Sequence, residues 1–136
     1  MNQKSARVGF WLTTSFFALM MAFTAYNELA SPQVGQVFVH LGFPSHAFRV
    51  ELSVAKVLGV LVLLLPVPAT LEEWAYAGFT FNLLSALIAH LAASDGASAW
   101  IWSVGFGVVL ALSYLFRARL AKTAGSAPTP VPVASR

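Results

Sequence analysis

The chain has 136 residues, of which 58% are hydrophobic and only 10% charged, whereas about 25% of residues are charged in ordinary soluble domains. It has no cysteine, which excludes disulfides, thiolate metal sites and thiol catalysis. The formal net charge of +3 comes from basic residues clustered mainly at the two ends, without an aromatic-interleaved basic patch, so no nucleic-acid partner is expected.

A helical span takes about 20 mostly apolar residues. Four spans with short connections therefore nearly exhaust the chain. The expected fold is an all-α membrane protein: a four-transmembrane-helix bundle with a short interfacial segment between helices one and two.

Residues 1–8 are polar and carry Lys4 and Arg7. The first apolar run, "GFWLTTSFFALMMAFTAYNELA", covers Gly9 to Ala30. A signal peptide competes for it, but such an apolar core is about 7–15 residues long and ends at a small-residue cleavage site. This run is longer and ends at "YNEL", so it reads as a span. The stretch "SPQVGQVFVHLGFPSHAFR" is too polar and too punctuated by Pro and Gly to cross; its piece "VGQVFVHLGF" suits the interface or a short dip into it.

The second span reads from Val50 to Leu65 and stops at Pro66 and Pro68, which cannot continue a helix. The third, "LEEWAYAGFTFNLLSALIAHLA", opens with Glu72 and Glu73, where carboxylates suit the positive end of the helix dipole. After "ASDGASA" the fourth runs from Trp100 to about Phe116 and ends at "RARLAK". The expected division is a cytoplasmic N-terminus at 1–8, the transmembrane domain at 9–119 and a disordered cytoplasmic tail at 120–136. The end of that tail, "GSAPTPVPVASR", cannot build a core.

With four spans, Lys4, Arg7, Arg117, Arg119, Lys122 and Arg136 share one side and Arg49 lies on the other. The Lys/Arg excess marks the cytoplasm, so both termini are expected inside. At 1.5 Å rise per residue, Asn27, Glu28, Glu51, Lys56 and His90 then fall in the outer half of the membrane, with Asn82 nearer the midplane.

Lys56 sits just before an aliphatic run, where a charge costs roughly 2.5–3.5 kcal/mol on insertion scales. Glu51, five residues away, points about 140° from it around the helix and is a poor direct partner. Glu28 and His90 come from neighbouring spans and lie within reach, so the expected network is Lys56–Glu28 with His90 beside them and Asn82 below. Asn27, Glu51 and Ser85 form its candidate surround. Three roles stay open for Lys56: snorkelling to outer headgroups, a structural salt bridge, or part of a ligand-binding or proton-handling site. Two stripes, Thr14/Ala18/Ala22/Ala25/Glu28 and Gly78/Asn82/Ser85/Ala86/Ala89/His90, follow helical spacing. Helix packing accounts for them as well as a pocket does.

Other constellations are thin. His40, His46 and His90 lack metal-ligand spacing, and no metal site is expected. Adjacent Glu72 and Glu73 point apart and mark the inner interface. No phosphate loop or Ser/His/Asp arrangement is visible, so the reading leans away from an enzyme and names no catalytic residue.

The pieces "HLGFPSHAF", "ELSVAKVLGVLVLLLP", "LEEWAYAGFTFNLLSALIAHLAASD" and "LSYLFR" together resemble the DoxX-like family of small bacterial four-helix membrane proteins, over about residues 9–117. The resemblance implies a left-handed four-helix bundle in the bacterial plasma membrane. Its name-giving relatives are small subunits linked to quinol oxidation or thiosulfate:quinone oxidoreduction. Lys56, Glu73 and His90 match positions of the family pattern, which assigns them no catalytic role.

Three functions follow as expectations. The first is a non-enzymatic membrane protein holding a lipid-like or quinone-like molecule in a polar pocket of the outer half. The second is an accessory membrane subunit of a quinone-linked oxidoreductase; no redox centre is encoded, so electrons would need a cofactor-bearing partner. The third is a membrane-protein assembly factor. Expected partners are the bilayer, a hydrophobic small molecule, and an oxidoreductase subunit or a second copy of the chain.

Overall fold

The computed structural model describes residues 1–126, which form five helices and no strand. They are α1 (Gln3–Ala30), α2 (Pro32–His40), α3 (His46–Leu64), α4 (Ala69–Ala92) and α5 (Ala97–Gly125). The boundaries follow local chemistry. Asn2 caps α1 by accepting the Ser5 N–H at 2.8 Å, which satisfies a donor the helix leaves orphaned. Ser31 ends α1 and starts α2, and Pro32 fills a first-turn position that needs no N–H. Leu65 ends α3 in an extended conformation because Pro66 follows it.

α4 closes in a Schellman turn. Ser94 takes φ 60°; its N–H reaches the Leu91 carbonyl at 3.1 Å and the Asp95 N–H reaches the His90 carbonyl at 3.0 Å. Serine stands here where glycine is usual. That turn brings Asp95 back onto His90.

α1 packs against α3 and α5, and α4 packs against α5 and α3, so the four long helices touch in a closed order. α2 lies against the end of α1 and buries no residue. The core is built from Phe17 and Met21 of α1, Val60 and Leu63 of α3, Phe79 and Leu83 of α4, and Leu110 of α5. Phe17 meets Phe79 edge-on at 5.0 Å between ring centroids.

The distribution of polarity is inverted relative to a soluble domain. Leu19, Trp74 and Phe81 are 69%, 72% and 70% exposed, while Thr14, Glu28, Ser53, Lys56 and Ser113 are buried. An apolar exterior of that extent suits lipid tails rather than water. By length and apolarity α1, α4 and α5 can each cross a membrane. α3 falls outside that measure because its 19 residues carry Arg49, Glu51 and Lys56. The expected second span thus depends on what neutralises those charges. At the other end, α5 continues to Gly125, so the tail boundary expected after residue 119 falls inside a helix. The rest of the expected tail, 127–136, lies outside the described residues.

Candidate functional site

Glu28 is the centre of the polar interior. It sits near the C-terminal end of α1, on a turn-by-turn stripe that also buries Thr14, Ala18 and Ala25. Lys56 of α3 donates to its Oε1, and Ser53, one turn earlier on α3, donates to its Oε2 at 3.0 Å. The Arg49 guanidinium reaches the Glu28 backbone carbonyl at 3.4 Å. Glu28 and Lys56 are 5% and 8% exposed, so the ion pair is almost wholly withdrawn from solvent. Such a pair persists only where its remaining lone pairs and protons also find partners. Ser53 meets part of that need for the carboxylate.

His90 does not join this pair directly. Its Nδ1 lies 2.7 Å from Asp95 Oδ2, and His40 Nε2 of α2 lies 2.8 Å from the other carboxylate oxygen. The Schellman turn supplies the first contact, and the position of α2 beside the α4–α5 loop supplies the second. These hydrogen bonds, His90's first and then His40's, hold the Asp95 carboxyl below its usual value. Sequence reasoning missed Asp95. The one available signal was an aspartate five residues after a histidine, across a helix end.

One cavity of about 370 Å³ collects Asn27, Glu28, Lys56, Asn82 and His90. Met21, Phe23, Leu83, Trp102 and Phe106 supply apolar wall. All four residues expected at the network's centre thus line a single space, as does Asn27, whose amide donates to the Phe23 carbonyl at 2.8 Å. Glu51 and Ser85 do not line it: both are exposed, and Ser85 faces a different cavity beside His40. The helical phase explains this, since Glu51 points away from Lys56 and Ser85 lies about 60° from Asn82 around α4.

Two further clusters lie toward the opposite end. Arg117 of α5 donates to both Glu72 and Glu73 and sits 5.8 Å over the Tyr76 ring. The two glutamates, expected to point apart, are gathered by one guanidinium because its fork spans both. One turn inward, Ser113 Oγ lies 2.6 Å from Thr14 Oγ1 and 2.7 Å from the Tyr76 hydroxyl. These three buried hydroxyls tie α1, α4 and α5 together. Among the described residues no cluster of His, Asp or Glu is arranged to hold a metal ion.

An all-helical chain with lipid-compatible surfaces and a buried ion pair is a helical membrane protein. Residues 12–113, well over half of the chain, match the DoxX-like family, and the chain belongs to it. The matched stretch contains Glu28, Lys56, Asn82, His90 and Asp95, and stops short of Arg117. No curated protein and no solved structure gives a match.

Proposed function

We propose that the chain is a four-span protein of the bacterial plasma membrane that holds a lipid-like or quinone-like molecule in the cavity around Lys56. The observation that carries this reading is the convergence of seven polar side chains from α1, α3, α4 and α5 on one apolar-walled space of about 370 Å³. Small-molecule sites have this make-up: mostly hydrophobic lining, a few placed polar groups, and volumes from about 300 Å³ upward. In lipid, α3 serves as the fourth span because Glu28 neutralises Lys56 inside the protein, while Arg49 and Glu51 lie in its first two turns, near the interface. Both termini then face the cytoplasm with the basic residues, and the cavity lies in the outer half.

The test is equilibrium binding of a ubiquinone or menaquinone analogue to the purified protein in nanodiscs. The wild type is expected to bind saturably. Asn82→Leu and His90→Ala, neither of which breaks the Lys56–Glu28 pair, are expected to weaken binding at least tenfold. No saturable binding by the wild type overturns the reading. Copurification of a flavin- or haem-bearing subunit would instead assign the cavity to an accessory subunit of a quinone-linked oxidoreductase.

A further inference from the structure

A second, smaller cavity of about 170 Å³ lies between α3 and α4, and Lys56 and Asn82 line it as well as the larger one. The two spaces therefore abut at these side chains. From there the smaller one passes Gly59 and Phe79 to Gly78 and Trp74. Eight residues of α4 separate Asn82 from Trp74, a length of about 12 Å. Small residues make this seam. A Cβ at Gly59 would come within 2.7 Å of the Phe79 ring, so glycine is what lets α3 and α4 approach there. A Cβ at Gly78 would meet nothing within 4 Å, and Gly78 and Trp74 are exposed on what is the lipid side.

The polar ends of the junction have unused capacity. An ammonium carries three donors, and Lys56 spends one on Glu28. The Asn82 amide and the His90 Nε2 make no hydrogen bond within the described residues. Lys56 is already matched by a carboxylate, so a charged head would add an uncompensated charge to the site. A neutral head with acceptor oxygens would not.

From these shared lining residues we infer that the α3–α4 slot is the tail subsite of the ligand cavity. The occupant is a neutral amphiphile whose carbonyl-type oxygens accept from Lys56 and Asn82, and whose slender apolar tail runs down the slot past Gly78 into the bilayer. This inference rests on the ligand-binding reading above and adds to it the class of ligand, the direction of its tail and Gly78 as the residue that decides whether a tail is accepted.

The experiment compares two probes in nanodiscs, a tail-less benzoquinone and the same ring with a ten-carbon alkyl tail. In the wild type the tailed probe is expected to bind at least tenfold more tightly after correction for its partitioning into empty nanodiscs. Gly78→Leu fills the slot and should abolish that advantage while leaving the tail-less probe's affinity unchanged. Gly105→Leu, on α5 and outside both cavities, should change neither. Gly78→Ala serves as the milder variant should the leucine form fail to fold, with an intermediate loss expected. A retained tail advantage in a folded Gly78 variant overturns the tail subsite but leaves the head site standing. So does an equal loss for both probes. Binding of neither probe to the wild type overturns both readings together.

Discussion

Glu28 and Lys56 bear on whether a charged helix can enter lipid. An isolated lysine at the centre of a span costs roughly 2.5–3.5 kcal/mol, and a lone glutamate would add to it. Brought together with Ser53, they present a neutral, hydrogen-bonded unit. Removing one partner leaves a buried charge, which costs about 3–5 kcal/mol in proteins, whereas replacing both by apolar groups is often close to neutral. Lys56→Met is therefore expected to destabilise the detergent-solubilised protein by about 3 kcal/mol, and Glu28→Leu/Lys56→Met to recover most of that loss. Unfolding in mixed micelles, followed by tryptophan fluorescence, measures both. If the double variant is no more stable than the single one, the pair is not the unit described. The Lys56–Glu28 partnership was legible as a candidate, because helical phase removed Glu51 and the Lys/Arg count left Glu28 and His90 at a similar depth. Ser53 shares a helix face with Lys56 at i, i+3 and was legible in principle. Asp95 was not, since its position depends on a left-handed serine and on a histidine of α2.

Helix α2 and the turn after α4 form the least anchored part of the structure. α2 has nine residues and buries none of them, and a helix that short has little stability of its own in water. Its C-terminal end is held by His40 on Asp95, whose other carboxylate oxygen meets His90, and by Phe38 edge-on to Phe48 of α3 at 6.4 Å between ring centroids. Each imidazole can place its single neutral-form proton on the nitrogen facing Asp95, so the clasp does not require a charged histidine. Asp95 has its carboxyl lowered, and a lowered carboxylate contributes stability above its ordinary value and loses it as the pH falls through the lowered one. The clasp is thus expected to stay closed at neutral and mildly acid pH and to open only below about 3.8. Spin labels at Gln36 and Ser98 would report the opening as a longer distance, and Asp95→Asn should lengthen it at neutral pH. A distance unchanged in that variant would show that α2 is held by other contacts. Element faces were unevenly legible. Of the α1 stripe, Thr14, Ala18, Ala25 and Glu28 are buried and Ala22 is half-buried. On α4 the buried positions are Tyr76, Phe79 and Leu83, adjacent to the small and polar stripe rather than on it. When lipid and core are both apolar, periodicity loses its contrast, and only small or polar residues leave a trace.

For the molecule as a whole, the decisive quantity is whether α3 crosses. Three helices qualify by length and apolarity, and α3 is excluded by its charges. The two possibilities place the loops on different sides. If α3 spans, His46 and Pro68 lie on opposite faces of the membrane, and Lys4 and Lys122 share one face. If it does not, His46 and Pro68 lie on the same face, and the N-terminus and Lys122 are on opposite ones. The natural absence of cysteine makes this directly measurable, because a single introduced cysteine is the only thiol to label. His46→Cys is expected to react with a membrane-impermeant maleimide added to intact cells, while Ala69→Cys and Lys122→Cys react only after the membrane is opened. Reaction of both His46→Cys and Ala69→Cys from outside would remove α3 from the membrane. The Lys56 cavity would then be an interfacial site rather than one reached through lipid. The arrangement of charge argues for crossing: Arg49 and Glu51 occupy the first two turns of α3, and the one charge beyond them is already paired with Glu28. After that pairing, the segment from Val57 to Leu64 presents only aliphatic side chains and Gly59 to its surroundings.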